Sequence, residues 1–533
     1  MVILGIHGGV TIQQHDAAAA LIVDGKLICC VEEERLVRVK TSTGLLPIHS
    51  ILACLAEAKL TIRDVDLVAL PGETYEDLAG RTREWMLHHF GYAPKIKSVN
   101  HQTAHLASAY YQSGFEHAMC ISYDAYGDGI SGALAIADSS GIKIIETLPG
   151  ENSLGVFYAT MTSFLGFKPG EDEYKVMGLA PYGIPSIDLS FFCRPTKEGY
   201  FSDSSYFRER KSATQLEPYY SKKLTDILGE PRRKGDAIGE HYKNIAASTQ
   251  STLESSIISL VTRLYNQTGQ RNLCIAGGVA LNCSANRSIA KLPFVDNLFI
   301  QPASSDRGLA LGCALYEAVE NGDELQSIKH VFYGPSHSDQ EIESAIKLAG
   351  ISAKKLNDPS EVAAGLLCKG KIIAWYQGRS EYGPRALGHR SILADPGLPG
   401  MKDEINKRIK FREEFRPFAP SVLEERYKEI YDLSAPSPFM TIACDVKNGW
   451  AIKLPATTHI NNTARVQTVN KDIDPEYHSL INNFEKVTGR PVLLNTSFNI
   501  MGQPIVERPL EALANFYSCG IDALVIGNWL IEK

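Results

Sequence analysis

A chain of 533 residues with 44% hydrophobic and 22% charged residues is long enough for two or three domains with sizeable cores. A formal net charge of −7 argues against a general nucleic-acid binder, which needs a basic face, but leaves room for local basic pockets. No apolar run is long enough to span a bilayer, so no membrane partner is expected. The start, MVILGIHGGV, is apolar but short, without a basic n-region or a small-residue cleavage pattern, and reads as a first strand rather than a signal peptide. The 11 cysteines are scattered through apolar segments and none forms CxxC, which fits buried thiols in a reducing cytoplasm.

In chain order, VILGIH, HDAAAALIVDG and KLICCVEEE read as strand, turn, strand, tight Asp-Gly turn, strand. HSILACLAEAKL has helical periodicity and VDLVALP reads as a strand. MCISYD, GDGISGALAIADSSG and IKIIETL then repeat the opening pattern. Residues 185–240 are polar and irregular, an insertion or a substrate cap. Residues 240–266 read as one long helix, NLCIAGG as a short buried strand, and VALNCSANRSIAK as the start of a helix. The stretch 320–360 is turn-rich, and a domain boundary is expected near residue 330. EVAAGLLCKG and KIIAWYQG follow as helix and strand, and the alternation indicates an α/β protein. The repeated meander resembles the duplicated half of actin-like, sugar-kinase-like folds.

Four residues carry the sharpest chemical signal. His101 and His105, in HQTAHLASAYY, lie one turn apart on a helical face. Asp124 ends the run MCISYD, and Asp306 stands in SSDRGLALGCAL. Two imidazoles and two carboxylates can share one cation, a donor set that suits Fe, Zn or Mn. The alternative is a helical histidine pair and two unrelated aspartates. The turn AGGVALN, from Ala276 to Asn282 with Gly277 and Gly278, lets a backbone approach a ribose or phosphates, or is an ordinary turn. YDAYGDGISG, with Gly127, is a second such loop, and EDEYKVMGLAPYG carries Lys175.

The densest cationic stretch follows. QGRSEYGPRALGHRSILADP holds Arg379, Arg385, His389 and Arg390; NKRIKFREEFRPFAPSV holds Lys407, Arg408, Lys410, Arg412 and Arg416; Arg465 lies in TARVQTV. Arginine forks grip phosphate and carboxylate in two-point contacts, and lysine acts as a point charge. In an acidic chain this reads as a pocket for a small phosphorylated substrate, or else as a surface bridged to Glu404, Glu413 and Glu414. LLNTSFNIMGQP adds Asn495, Thr496, Ser497 and Asn499 after an apolar strand.

Together these motifs resemble the O-carbamoyltransferase family of nodulation-factor, cephamycin and aminoglycoside (tobramycin) biosynthesis. The carrying segments are HDAAAALIVDG, VEEERLVRVK, HQTAHLASAYY, DAYGDG, EYKVMGLAPYG, AGGVALN, SSDRGLALGCAL, GRSEYGPRALGHRSI, KFREEFRPFAP, TARVQTV and PVLLNTSFNIMGQPIV, in the family's order. The resemblance implies an actin-like, metal- and nucleotide-binding transfer domain over residues 1–329 and a YrdC-like, carbamoyl-phosphate-binding domain over 330–533. It implies carbamoyl phosphate and ATP with Mg2+ as substrates, carbamoyl-adenylate as intermediate, and a small-molecule alcohol as acceptor. By motif, His101, His105, Asp124 and Asp306 match metal ligands, usually for iron. Lys410, Arg416, Arg465 and Asn495 match the carbamoyl-phosphate pocket, with Arg385 in the same motif. Gly278 and Asn282 match the nucleotide loop, with Gly127, Gly277 and Lys175 as further candidates. His15 matches a histidine near the acceptor, with Asp16 beside it and Lys40 closing the EEERxxRxK motif as a third catalytic candidate. The turn GGVTIQQ before His15 is longer than the family pattern, which bears on the acceptor contacts. A homodimer, a tRNA threonylcarbamoyl-type transferase and a non-catalytic actin-like ATP-binding regulator are the other readings carried forward.

Overall fold

The computed structural model describes residues 1–9, 14–208 and 218–533. Val10–Gln13 of the GGVTIQQ turn and residues 209–217 of the irregular segment lie outside the described residues. The chain divides into two compact units. The first takes in Met1–Leu27, Thr43–Pro47 and Leu60–Ile328; the second takes in Ile28–Ser42, Ile48–Lys59 and Lys329–Lys533. A single cut of the chain near residue 330 therefore does not describe the division, because two early segments belong with the C-terminal residues. No helix among the described residues is long and apolar enough to cross a membrane.

The first unit is a mixed α/β structure built from a repeated strand order. Strands β1 (Val2–His7) and β2 (Ala18–Val23) are antiparallel, and β4 (Leu67–Pro71) and β5 (Lys95–Val99) add parallel to β1. Between β2 and β4, β3 (Lys26–Glu32) follows the Asp24-Gly25 turn and carries the chain into the second unit. The second sheet repeats the scheme. β6 (Ala118–Gly127), β7 (Ile130–Asp138) and β8 (Gly141–Pro149) form an antiparallel meander, and β11 (Asn272–Ala276) and β12 (Asn297–Ile300) add parallel to β6. β9 (Cys193–Thr196) and β10 (Gly199–Ser202) form a separate hairpin within the irregular segment. It lies on the long helix Glu240–Thr268, where Ser259 donates to the Thr196 carbonyl and Cys193 Sγ sits 3.6 Å from Ser256 Oγ.

Small residues let the layers close. A Cβ on Gly5 of β1 would lie 1.8 Å from the Ala310 carbonyl oxygen, and one on Gly312 would lie 1.9 Å from that of Ala104. The helix Leu309–Glu320 thus rests its backbone against β1 on one side and against the helix His101–Ser113 on the other. Ala69, Val99, Ala104, Leu309 and Cys313 fill the space around that contact.

The second unit centres on a mixed sheet. Ile373–Tyr376 runs parallel to Ala523–Ile526 and antiparallel to Arg390–Ala394, which in turn is antiparallel to Val492–Ser497. The IAWY strand is apolar throughout because both of its faces are covered. Ile373 and Trp375 face a core with Tyr477, Leu480 and Phe484, whereas Ala374 and Tyr376 face Met401, Ile405, Phe498 and Phe516.

The VEEERLVRVK motif explains why an early segment belongs to this unit. Glu32 accepts the Gly383 N–H at 2.7 Å, and Arg35 donates to the Gly383 carbonyl at 2.6 Å while pairing with Glu32 at 3.0 Å. Glu33 accepts N–H groups of His49 and Ser50, Glu34 accepts that of Thr41, and Arg38 donates to the carbonyls of Pro504 and Ile505. These charges are fasteners, and each is satisfied by backbone groups of its own unit.

Gly312→Ala is expected to destabilise the first unit by about 1–3 kcal/mol, since two helix backbones cannot move apart locally. Urea unfolding followed by intrinsic fluorescence checks this. An unshifted transition would show that the helices do not depend on that approach.

Candidate metal centre and cationic pocket

In the first unit three elements deliver the four predicted ligands to one place. His101 is the first residue of its helix, whose N-cap Asn100 accepts N–H bonds from Gln102 and Thr103. Its own N–H goes to Asp128 at 2.7 Å, and Asp128 also accepts from Glu73 and Thr74. His105 follows one turn on and is fully buried. Asp124 projects from β6, with Oδ1 held by the N–H groups of Ala125 and Gly278 at 2.8 and 3.3 Å. Asp306 opens the turn Asp306–Gly308 before the helix Leu309–Glu320.

One ligand atom from each of the four residues lies within 4.8 Å of the others. Asp124 Oδ2 is 3.3 Å from His101 Nε2 and 3.1 Å from His105 Nε2; Asp306 Oδ1 is 3.7 and 3.6 Å from the same two atoms. Two imidazole nitrogens and two carboxylate oxygens fit a divalent transition metal by count and by chemistry. Burial opposes charge here, yet the hydrogen bonds to Asp124 and Asp306 prevail and raise His105 to about 9. Against the same burial, the two imidazoles hold Asp124 well below the usual carboxylate range. The protein's own groups thus balance each other's charge at a site a cation can enter.

His7, at the end of β1, was not among the predicted site residues. It is buried, donates from Nε2 to the His15 carbonyl at 3.0 Å, and lies 3.7 Å from Asp306 Oδ2. Burial lowers it to about 4, so it stays neutral. Its position at a strand end was the available signal, since ligands collect there in α/β folds.

His15 and Asp16 adjoin the four ligands. Asp16 is clamped by Arg307 at 3.0 Å and Ser305 at 3.0 Å, which ties the first turn to the SSDR loop. His15 Nδ1 lies 3.5 Å from Asp16 Oδ2. Burial would lower this imidazole, but the Asp16 bond and the Asp306 and Asp124 charges raise it to about 10. With only protein charges around it, His15 favours its protonated form. Lys40, by contrast, belongs to the second unit.

The glycine loop joins the same centre through Asp124. Gly277 has φ +92°, and a Cβ there would lie 2.2 Å from the Tyr123 carbonyl oxygen. A Cβ on Gly127 would enter the His101 ring at 2.3 Å, so that glycine makes room for a ligand side chain. Asn282 caps the helix Cys283–Ala290 and exchanges hydrogen bonds with Gln250 at 2.9 and 3.0 Å. Lys175 pairs with Asp172 at 3.1 Å. Its neighbour Glu173 was also missed; burial raises it to about 7 against the Gly170 N–H bond that opposes the rise.

The second unit sorts the cationic stretch into two groups. Arg390 is fully buried, donates to the Gln377 and Gly378 carbonyls and lies 3.7 Å above the Tyr376 ring. Arg379 donates to the carbonyls of Gly334, Ile28 and Tyr333. His389 stacks on Phe332 at 3.7 Å and bonds to the Arg379 carbonyl. Arg408 bridges Glu404 and Asp522. These four are held by the fold, and Arg408 follows the salt-bridged alternative, with Glu404 as one partner.

The other group converges. Lys410 is buried, with its ammonium against oxygens of Ser497 and Asn499. Burial first, then the Arg412 and Arg416 guanidinium groups, push it well below the usual lysine range. Burial first, then Arg412, depresses Lys402, and burial first, then Arg465 and Lys402, depresses His459. Asn495 is internal: its amide donates to Ala386, Ser421 and Gln467, fixing the backbone next to Arg385. Lys402, Arg412 and His459 thus join Lys410, Arg416 and Arg465. His459 was missed because a lone histidine in a polar turn carries no pattern.

His101→Ala is expected to lose the bound metal, because the site then offers three donors instead of four. Elemental analysis of purified protein, with the thermal transition as folding control, checks this. Full metal occupancy in that variant overturns the ligand assignment.

Two family models match the chain. A carbamoyltransferase N-terminus model matches residues 4–90 and 75–315, and a carbamoyltransferase C-terminus model matches residues 364–533. Nodulation protein NolNO of Sinorhizobium fredii is 37% identical over 97% of this chain and 79% of its own length. Nodulation protein NolO of Bradyrhizobium diazoefficiens is 38% identical over 82% of this chain and 79% of its own length. Among solved structures, component A of (R)-2-hydroxyglutaryl-CoA dehydratase from Acidaminococcus fermentans overlaps 59% of this chain and 97% of its own, at 17% identity and a TM-score of 0.35. Matched by both halves of the family and by relatives over most of its length, the chain is an enzyme of the carbamoyltransferase family.

Proposed function

We propose that the chain moves a carbamoyl group from carbamoyl phosphate to a hydroxyl of a small-molecule acceptor, such as a sugar or secondary metabolite, through carbamoyl-adenylate. Atom balance requires water to release phosphate from carbamoyl phosphate; the resulting carbamate displaces pyrophosphate from ATP; the acceptor hydroxyl then displaces AMP. In this reading the second unit, YrdC-like, binds carbamoyl phosphate, and the first, actin-like, holds metal, nucleotide and acceptor.

The observation that carries the proposal is the crowding of Lys402, Lys410, Arg412, Arg416 and Arg465 in one electrostatic group. Arg416 has Glu413 at 3.6 Å and Arg412 has Asn406 Oδ1 at 2.8 Å, and cations grouped around such partners still favour an incoming anion. A phosphate between them collects charge-assisted hydrogen bonds from guanidinium forks, with the fixed Lys410 ammonium as a point charge.

In the first unit, a cation bound by His101, His105, Asp124 and Asp306 supplies Lewis-acid stabilisation of phosphate or carbonyl oxygen. Fe2+ is the favoured metal, with Zn2+ and Mn2+ fitting the same donors. The glycine loop at Gly277 and Gly278 presents backbone to the nucleotide. His15 is placed to handle the acceptor proton, and Asp16 holds its ring. A cation held by Asp124 and Asp306 would offset two of the charges that raise His15 and so would favour the neutral base that deprotonation of a hydroxyl needs.

Carbamoyl-phosphate-dependent release of pyrophosphate from ATP tests the adenylate. It is expected with the unmodified chain, and its absence across metals and acceptors sinks the mechanism. Lys410→Ala is expected to lower carbamoyl-phosphate turnover by at least roughly tenfold, the weight of one charge-assisted bond, while nucleotide binding persists. Unchanged turnover removes Lys410 from the pocket.

Phosphate binding should also take up protons, because the anion reverses the depression of the Lys410 pKa. Affinity is then expected to fall as pH rises through that depressed pKa, and the calorimetric enthalpy to track the buffer's ionisation enthalpy. A buffer-independent enthalpy would count against Lys410 as the phosphate's partner.

A further inference from the structure

One neighbour of this cationic group is not a cation: His459 bonds to Thr463, two residues from Arg465 on the same face of the strand Thr463–Arg465. His459 sits in a tight turn: its N–H donates to the Thr463 carbonyl at 2.8 Å, and its carbonyl accepts from Asn462 at 2.9 Å. The side chain is fixed as well, with Nδ1 at 3.0 Å from Thr463 Oγ1. Thr463 has a single hydroxyl proton, and it goes to Asn461 Oδ1 at 2.8 Å. Toward His459 the hydroxyl can therefore only accept, which places the imidazole hydrogen on Nδ1 and the lone pair on Nε2. Burial first, then Arg465 and Lys402, lower this histidine to about 3, so Nε2 keeps its lone pair at neutral pH.

A hydrogen-bond acceptor among cations is of no use to a bare phosphate, whose oxygens are acceptors themselves. It suits a ligand that pairs phosphate oxygens with an N–H donor. Carbamoyl phosphate has that composition, with an amino group one carbonyl away from the phosphate ester oxygen. Acetyl phosphate has the same shape with a methyl group in place of the amino group.

We propose that His459 is a specificity-determining residue, whose Nε2 accepts a hydrogen bond from the carbamoyl amino group and so selects carbamoyl phosphate over acyl phosphates that lack an N–H. The inference rests on the carbamoyl-phosphate reading of the pocket. A site built to bond an N–H discriminates against the analogue lacking it, because its own polar atom is then left unpaired.

The test compares dissociation constants for carbamoyl phosphate, acetyl phosphate and inorganic phosphate in the unmodified chain, His459→Phe and His459→Gln. Carbamoyl phosphate is expected to bind the unmodified chain roughly five- to tenfold more tightly than acetyl phosphate. His459→Phe should bring that ratio close to one, with inorganic phosphate as the reference for any change common to all three ligands. His459→Gln, which returns an acceptor, should restore part of it. A ratio unaltered in His459→Phe, or equal weakening of all three ligands, overturns the specificity role. Failure of the unmodified chain to bind carbamoyl phosphate overturns the underlying reading instead, and this inference with it.

Discussion

The metal centre depends on a backbone contact. Gly312 lets the helix Leu309–Glu320 meet the helix His101–Ser113 with no side chain between them, and Gly5 lets the same helix lie against β1. Asp306 leads the first helix, His101 and His105 occupy the second, and His7 ends β1. One methyl group at either glycine would part elements whose ligand atoms lie within 4.8 Å of one another. Packing at this density transmits displacement rather than absorbing it. The reach of the imidazoles toward the carboxylates is therefore set several residues away, where nothing chemical happens.

The two units handle charge in opposite ways. In the first, carboxylates and imidazoles neutralise each other, and a cation replaces one set of balanced interactions with another. In the second, Lys402, Lys410, Arg412, Arg416 and Arg465 are grouped, and burial first, then neighbouring guanidinium groups, lowers Lys402 and Lys410. In the proposed reading an anion would relieve that cost and couple binding to protonation.

Much of the fold was legible because its patterns are local. The two meanders showed in their alternation and turns, and the helix Glu240–Thr268 showed in its length and periodicity. His101 and His105 were legible because four-residue spacing on a helix has a fixed geometric meaning. For Arg379 and Arg390 the sequence left both readings open, because a buried arginine satisfied by carbonyls looks, in sequence, the same as one awaiting phosphate. The membership of Ile28–Ser42 in the second unit was likewise invisible, since Glu32, Arg35 and Arg38 find partners at Gly383, Pro504 and Ile505. Hydrogen bonds that span hundreds of residues leave no periodicity to read.

The sequence by itself determined the α/β character, the repeated meander, the family and the residue types able to hold a metal and a phosphate. These follow from short-range periodicity and from motif order, which survive without coordinates. The tertiary structure alone decided which partner each charge finds. It placed His7 beside Asp306, paired Asp16 with Arg307, and turned His459 from an unremarked turn residue into a neutral acceptor among cations. The reason is physical: the charge state and role of a side chain depend on its burial and its partners, and both are properties of the folded chain.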